Sequence, residues 1–229
     1  MSRANTSAPI ATSRATLASR LRPPVAPIAD TSNVIVVASS SPLRSVSDLI
    51  AAAKAKPGEI AYGTPGIGSP AHLFSELFAQ TAGVQMLHVP YSRTPAMNDL
   101  IGGRLSVMFA TIPVAMPQIR SGQVRALAVT APTRFPTLPD VPTVMESGLP
   151  GYEAGQWLGV FAPSRTPADV VQTLNAEITK AVKTPGVAQQ LVERGMLPLT
   201  GTPAEFAQRF ASDVKRWAAV MRAADIKLE

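Results

Sequence analysis

The run Ile60-Ala61-Tyr62-Gly63-Thr64-Pro65-Gly66-Ile67-Gly68-Ser69-Pro70-Ala71-His72 holds the residues of this chain best suited to grip a ligand. A short apolar stretch ends in a loop with two glycines, and Ser69-Pro70 then opens a helix. Ser69 fits the N-cap. Pro70 fits the first helical position, where an N–H would find no helical partner anyway. Leu73, Phe74, Leu77 and Phe78 follow at helical spacing. Glycine lets backbone approach a ligand closely, and a helix start offers free N–H groups and partial positive charge. The chemistry on offer is the holding of a small anion, of which a carboxylate is the natural case. Thr64, Gly66, Ile67, Gly68 and Ser69 are therefore candidate ligand-binding residues, although such a junction also occurs simply as a tight turn.

Other chemistries fit poorly. The loop has no third glycine in G-x-G-x-x-G spacing and no Lys-Ser/Thr pair of a P-loop. It lacks the G-x-S-x-G order of a nucleophile elbow. Ser69 and His72 stand three apart without an evident orienting carboxylate, so no catalytic residue is assigned. His72 either lines the ligand site or bonds the loop backbone. His88, in Leu87-His88-Val89-Pro90-Tyr91, reads as strand-end packing, and two distant histidines without a shared carboxylate motif make no metal site. No cofactor is implied. Tyr91, Ser92 and Arg93 follow a strand at the sheet edge where open α/β folds bind ligands, and Arg93 either pairs a second carboxylate or stays solvated. Trp157 either closes over a ligand or packs between lobes.

Composition narrows the classes further. The chain is 46% hydrophobic and 16% charged, so most of its 229 residues bury a core. No apolar run reaches membrane-spanning length. With no cysteine, disulfides, thiolate zinc sites and a Cys nucleophile are excluded. The formal charge of +6 hints at nucleic acid until it is located. Arg3, Arg14, Arg20 and Arg22 fall in the first 29 residues with no acid, which leaves Asp30 to Glu229 at +2. That body has no basic cluster and few aromatics to stack bases, so no nucleic-acid partner is expected.

Along the chain, residues 1–29 read as a disordered tail or loosely as a transit peptide, without the apolar h-region of a secretory signal. From Asn33 the rhythm is strand, helix, strand, helix. Strands are predicted at 34–38, 59–63, 86–90, 105–110, 124–130 and 156–162. Helices are predicted near 46–56, 70–83, 95–103, 112–121, 167–183, 186–195 and 203–224. This alternation gives an α/β domain with a mainly parallel sheet. Ser69-Pro70, Thr94-Pro95, Thr166-Pro167, Thr184-Pro185 and Thr202-Pro203 each set a hydroxyl before a proline, and Thr202 with Glu205 makes a capping box. Phe206, Phe210, Val214, Trp217 and Met221 form an apolar stripe that must pack against something. Residues 131–155 are proline-rich and aperiodic, and read as an ordered surface connection crossing between lobes.

A series of segments carries a resemblance. It comprises Tyr62 to Leu73, His88-Val89-Pro90-Tyr91, Asp99-Leu100-Ile101-Gly102-Gly103, Gly122 to Thr130, Leu138 to Gly148, and Gly201-Thr202-Pro203-Ala204-Glu205-Phe206. In this order they resemble the periplasmic substrate-binding receptors of tripartite tricarboxylate transporters, the Bug receptors. The resemblance implies a periplasmic-binding-protein-like clamshell that holds a di- or tricarboxylate between two lobes, delivers it to membrane transporter subunits and does no chemistry. Family members use two strand-to-helix loops, one per lobe, partly through water, and Thr64–Ser69 matches the second.

Two departures stand out against that pattern. The family's N-terminal third, with the other carboxylate loop, has no counterpart in residues 1–26. Ala110-Thr111 replaces a common Asp-Asn-type pair, which makes Thr111 a ligand candidate by position. The expectation is thus an N-terminally truncated receptor with a complete second lobe and an incomplete first one. Residues 1–29 would be an unrelated tail, 30–130 the ligand-binding α/β lobe, 131–162 the crossing segment and return strand, and 163–229 helices of the partial first lobe. The alternatives are a non-binding fragment or, with less support, an enzyme acting on a small acid. An incomplete lobe would favour self-association. The family location is the periplasm, with cytoplasmic retention as the alternative for a chain lacking a recognisable signal.

Overall fold

The computed structural model describes residues 23–91 and 95–227. One strand organises them. β1 (Pro24–Ala38) pairs antiparallel with four others. Up to Ser32 its partners are β6 (Gly155–Phe161) and β7 (Met196–Pro198). From Asn33 it lies between β4 (Val107–Thr111) and β5 (Val124–Val129). Beyond β4 come β2 (Ala61–Thr64) and β3 (Leu87–Pro90), with β2 parallel to both β3 and β4. The order is β3-β2-β4-β1-β5. Four of these five strands point one way and β1 opposes them, as expected of a mainly parallel α/β sheet.

The sequence of β1 explains its place. Val34, Ile35, Val36 and Val37 are fully buried, as befits a strand covered on both faces. Ile35 and Val37 face one cluster with Leu49 of α1 (Val46–Ala55) and Phe74 and Phe78 of α2 (Pro70–Ala82). Val34 and Val36 face the other, with Leu100 of α3 (Ala96–Ile101) and Ile112 and Ala115 of α4 (Ile112–Arg120). The helices α5 (Ala168–Lys183), α6 (Pro185–Glu193) and α7 (Pro203–Ala223) attend the other half of β1. Asn175 of α5 donates through Nδ2 to the carbonyls of Val25 and Gly201, 2.8 Å each. Arg209 of α7 pairs with Asp30 of β1. The capping box opens α7 as predicted, with the Glu205 N–H donating to Thr202 Oγ1 at 3.2 Å and the Thr202 N–H to Glu205 Oε2 at 2.8 Å.

Two expectations need correction and one is met. The tail predicted through residue 29 ends earlier, because Pro24 to Ala29 are strand. Pro24 and Pro27 sit at shifts of register against β6, where a missing N–H is tolerated. Residues 1–22 lie outside the described residues. The α7 stripe, which had to pack against something, is mostly covered. Phe206 is buried against Trp157 and Phe161 of β6, and Trp217 packs on Phe74 of α2. Val214 alone of that stripe is exposed. Finally, the crossing read over residues 131–155 falls only at the end of that range, after residues 131–153 have folded back on the five strands. The Ala154 N–H returns to the Thr130 carbonyl at 2.9 Å, and Phe135, Leu138, Val144 and Tyr152 bury into the clusters beside the five strands. The crossings occur at Ser32–Asn33 in β1 and at Ala154–Gly155.

A buried hydroxyl ties those crossings together. Thr130 Oγ1 lies 2.9 Å from Ser32 Oγ, accepts the Asn33 N–H at 3.0 Å and lies 3.1 Å from the Asn33 carbonyl. Thr130→Val keeps the shape but strands these groups in a dry site, and is expected to destabilise by about 1–3 kcal/mol in urea unfolding. Gly159 of β6 is a second tight point. A Cβ there would sit 2.3 Å from Phe206 Cζ and 3.1 Å from the Ala26 carbonyl. Gly159→Ala should cost about 1–3 kcal/mol, and an unchanged urea midpoint would show that this contact relaxes freely.

Candidate functional site

Parallel strands set the site. The C-terminal ends of β2, β3, β4 and β5 fall on one edge of the sheet, and β1 enters from that same edge at Asn33. Ligands in open α/β sheets bind outside this edge. Threonines mark the ends of three strands: Thr64 on β2, Thr111 on β4 and Thr130 just after β5. Thr130 is used in the crossing. Thr111 is the N-cap residue of α4, yet its side chain makes no capping bond. The hydroxyl at this second strand-to-helix junction is half-buried and uncommitted to the helix.

At the β2–α2 junction the loop conformation requires its glycines. Gly66 has φ +151 and Gly68 φ +73, values that side-chain-bearing residues adopt rarely. Most of the loop's N–H groups are already used. The Gly66 N–H donates to Thr64 Oγ1 at 3.3 Å, Gly68 to His72 Nδ1 at 3.1 Å, and Ser69 to the Gly66 carbonyl at 3.3 Å. Ser69 caps the helix by accepting the His72 N–H at 3.4 Å. The N–H groups of Ile67 and Ala71 have no partner among the described residues. Ile67 is half exposed. Two free N–H groups, the Ser69 hydroxyl proton and the positive end of α2 make the junction an anion cradle.

Beneath the loop three rings meet. Register places His88 of β3 opposite Tyr62 of β2, with ring centroids 5.1 Å apart. His72 stacks on His88 at 3.7 Å, inclined by 13°, and lies 6.2 Å from the Tyr62 ring. His88 Nε2 lies 2.6 Å from Thr64 Oγ1. The Tyr62 hydroxyl, fully buried, donates to the Glu76 carboxylate, and Glu76 lies 3.9 Å from His72 Nε2. Burial pushes the Tyr62 hydroxyl far above its ordinary range, with Glu76 adding to it. Burial also holds His72 below the usual histidine range, against the pull of Glu76. His88 is lowered to about 4, first by burial and then by its neighbour His72. Both rings are thus neutral near pH 7.

Candidate residues separate accordingly. Thr64, Gly66, Ile67, Gly68 and Ser69 form one loop, with His72 under it rather than in its mouth. His72 Nδ1 faces the Gly68 N–H, so no Ser–His hydrogen bond exists to activate Ser69. Tyr91 is tied away, its hydroxyl donating to Asp99 at 2.6 Å. Ser92 and Arg93 lie outside the described residues. Trp157 belongs to a different constellation. Its Nε1 donates to Asp213 Oδ2 at 2.7 Å, and its ring packs edge-on to Phe206 and Phe210. It borders a cavity of about 350 Å³ walled by Pro70, Leu73 and Phe74 of α2 and by Phe210 and Trp217 of α7. Asp213 at that cavity repels an anion, so a carboxylate favours the loop over the largely apolar space beside it.

The His72–His88 pairing escaped the sequence, where the two stand far apart. The register of β2 against β3 was the missing signal. The two rings stack face to face, so their in-plane nitrogens do not converge on one point as metal ligands must. Among the described residues no group of three His, Cys, Asp or Glu is arranged to hold a metal. No helix among them is long and apolar enough to cross a membrane.

The comparisons agree with this geometry. Residues 6–226 match the family model described as tripartite tricarboxylate transporter family receptor. The match begins at residue 6, which corrects the expectation that residues 1–26 stand apart from the family. A UPF0065 protein in the tcbD-tcbE intergenic region of Pseudomonas sp. (strain P51) is 42% identical over 196 residues, 85% of this chain and 58% of the relative. The chain thus spans under two thirds of that relative's length. Among solved structures, R. palustris Rpa4515 with adipate superposes with TM-score 0.82 and 36% identity, over 90% of this chain and 69% of that one. MatC (Rpa3494) from Rhodopseudomonas palustris with bound malate gives TM-score 0.78 and 30% identity, over 93% and 72%. These relatives share the periplasmic-binding-protein-like α/β fold, and their family is one of receptors rather than enzymes. Because the match runs through both partner sets of β1 and through the Gly66–Ser69 loop, the chain belongs to the tripartite tricarboxylate transporter family receptors.

Proposed function

We propose that this chain captures a small carboxylate of the di- or tricarboxylate type and presents it to the membrane subunits of a tripartite tricarboxylate transporter in the periplasm. One observation carries the reading: the start of α2 offers the Ile67 and Ala71 N–H groups and the Ser69 hydroxyl, all without partners as donors among the described residues. Adipate and malate in the two relatives give the ligand class. The lobe that takes the ligand is the five-stranded part with α1 to α4, and Thr111 supplies a hydroxyl from the neighbouring junction. The segment from β6 to α7, with Trp157, forms the facing wall. Self-association has little support once the α7 stripe is packed.

A screen of mono-, di- and tricarboxylates by thermal shift tests this directly. A ligand present at a hundred times its Kd stabilises by about 2.7 kcal/mol, which raises Tm by roughly 5–10 °C for a chain of this size. A flat response to every acid would favour the reading as a non-binding fragment. Two variants locate the site. Ser69→Ala removes a hydrogen bond to a charged acceptor and should cost about 1.5–3 kcal/mol, tenfold or more in Kd by titration calorimetry. Gly68→Val forces a β-branched residue into φ +73 and should abolish binding while circular dichroism reports a folded chain. Undiminished affinity in folded Gly68→Val would place the site elsewhere.

A further inference from the structure

We propose that the stacked imidazoles of His72 and His88 are positioning residues that brace the ligand loop, and that protonating them releases the loop and weakens carboxylate binding in acid. The proposal rests on the carboxylate reading of the loop. It concerns how that loop keeps its shape.

Each ring holds one end of the loop. His72 Nδ1 accepts the Gly68 N–H at 3.1 Å. This requires an unprotonated Nδ1, so the bond selects the neutral tautomer with its proton on Nε2. His88 Nε2 meets Thr64 Oγ1, which in turn bonds both the N–H and the carbonyl of Gly66 at 3.3 and 3.2 Å. Gly66 and Gly68 flank Ile67, whose N–H is the exposed donor. The brace therefore fixes the direction of the donor without using it. A second copy of this arrangement is not needed elsewhere in the loop, because Ser69 is already fixed by the helix cap.

The groups facing the pair from each element are few. Glu76 lies on the same helix as His72, 3.9 Å from its Nε2, and is engaged by the Tyr62 hydroxyl from β2. The Tyr62 ring also packs against His88, 5.1 Å away between centroids. No other charged group is recorded against either ring among the described residues. A first proton is drawn to His72, beside Glu76. It converts Nδ1 from acceptor to donor, so that two N–H groups confront each other at Gly68, and the glycine must turn. A second proton would place two cations face to face at 3.7 Å, which like-charge repulsion opposes.

The sign follows from burial. Both histidines are held below their ordinary value of 6.5, His88 at about 4, because the folded site favours the neutral form. A group with a lowered cationic pKa contributes its full effect above the ordinary value. The effect is lost as pH falls from about 6.5 toward 4. Loop order, and with it affinity, should fall in that window.

The experiment has two arms on the intact chain. In the first, without ligand, ¹H–¹⁵N spectra follow the Gly68 amide while the His72 ring protons are titrated from pH 7.5 to 4.5. The Gly68 amide should shift with the same midpoint as His72 and exchange faster at the acid end. A Gly68 amide that stays still while His72 titrates overturns the brace. In the second arm, calorimetry with malate as probe compares wild type with His72→Gln, which keeps an oxygen acceptor but cannot titrate. Wild-type affinity should drop about tenfold more than that of His72→Gln across the range, since one hydrogen bond is at stake and the titration of malate itself cancels. Equal losses in both proteins overturn the acid sensitivity. Failure of malate to bind at pH 7.5 counts against the carboxylate reading, and the Gly68 amide still decides the brace because it is read without ligand.

Discussion

The pairing of β1 is the constraint on which the rest depends. A single strand of 15 residues supplies backbone hydrogen bonds to four others, two along each half. Between Ser32 and Asn33 its partners change from β6 and β7 to β4 and β5. At that change the backbone groups must still be satisfied, because they are buried. Thr130 does this with one hydroxyl and its own backbone, and Asn33 adds its Nδ2 to the Phe109 carbonyl at 2.6 Å. Buried hydrogen-bonded groups hold a fixed geometry better than apolar contacts, which can slide. The relation between the two sets of strands is therefore set at a polar node rather than by the large hydrophobic clusters on either side.

Placing β1 antiparallel inside otherwise parallel strands also decides which features share an edge of the sheet. The four parallel strands deliver their C-terminal ends, and the helix starts that follow, to one edge. β1 brings the crossing to the same edge. The loop after β2 and the crossing at Ser32–Asn33 therefore lie at the same edge. The helix starts contribute partial positive charge at the place where the strands end. That the fold concentrates such charge at this edge explains how a chain with little net charge in its body can attract an anion.

Much of this was legible in the sequence, and the reasons are specific. The helices were readable because their starts carry capping chemistry. Ser69 and Thr202 cap as their spacing predicts, whereas Thr184 makes no side-chain capping bond and only its proline marks the boundary. The core strands were readable from Val34 to Val37 and from Val107 to Ala110. The first half of β1 was not, since prolines and arginine-rich flanks imitate a tail, and only pairing with β6 reveals a strand. β7, Met196–Pro198, is too short to show a pattern. In the site, local spacing exposed the Gly loop and its cap. Everything that depends on register stayed hidden. Tyr62 meets His88 because β2 and β3 run parallel in one particular alignment, and a shift of one residue would turn His88 to the opposite face.

The loop itself shows why residue identity alone overstates a binding site. Read as a sequence, Gly66, Gly68 and Ser69 offer a row of backbone donors. In the folded chain those three N–H groups are spent on Thr64, His72 and the Gly66 carbonyl. The donors left over are Ile67 and Ala71, neither of which a motif search would single out. The glycines work indirectly. Their positive φ values let the backbone turn so that consumed and free N–H groups point in different directions. A buried N–H left unpaired would cost free energy comparable to a lost hydrogen bond. Pairing most of them internally and leaving one exposed donor at Ile67 limits that cost when no ligand is present. On the proposed reading, two donors, one hydroxyl and a helix start would select an anion, with the rings bracing the loop from below.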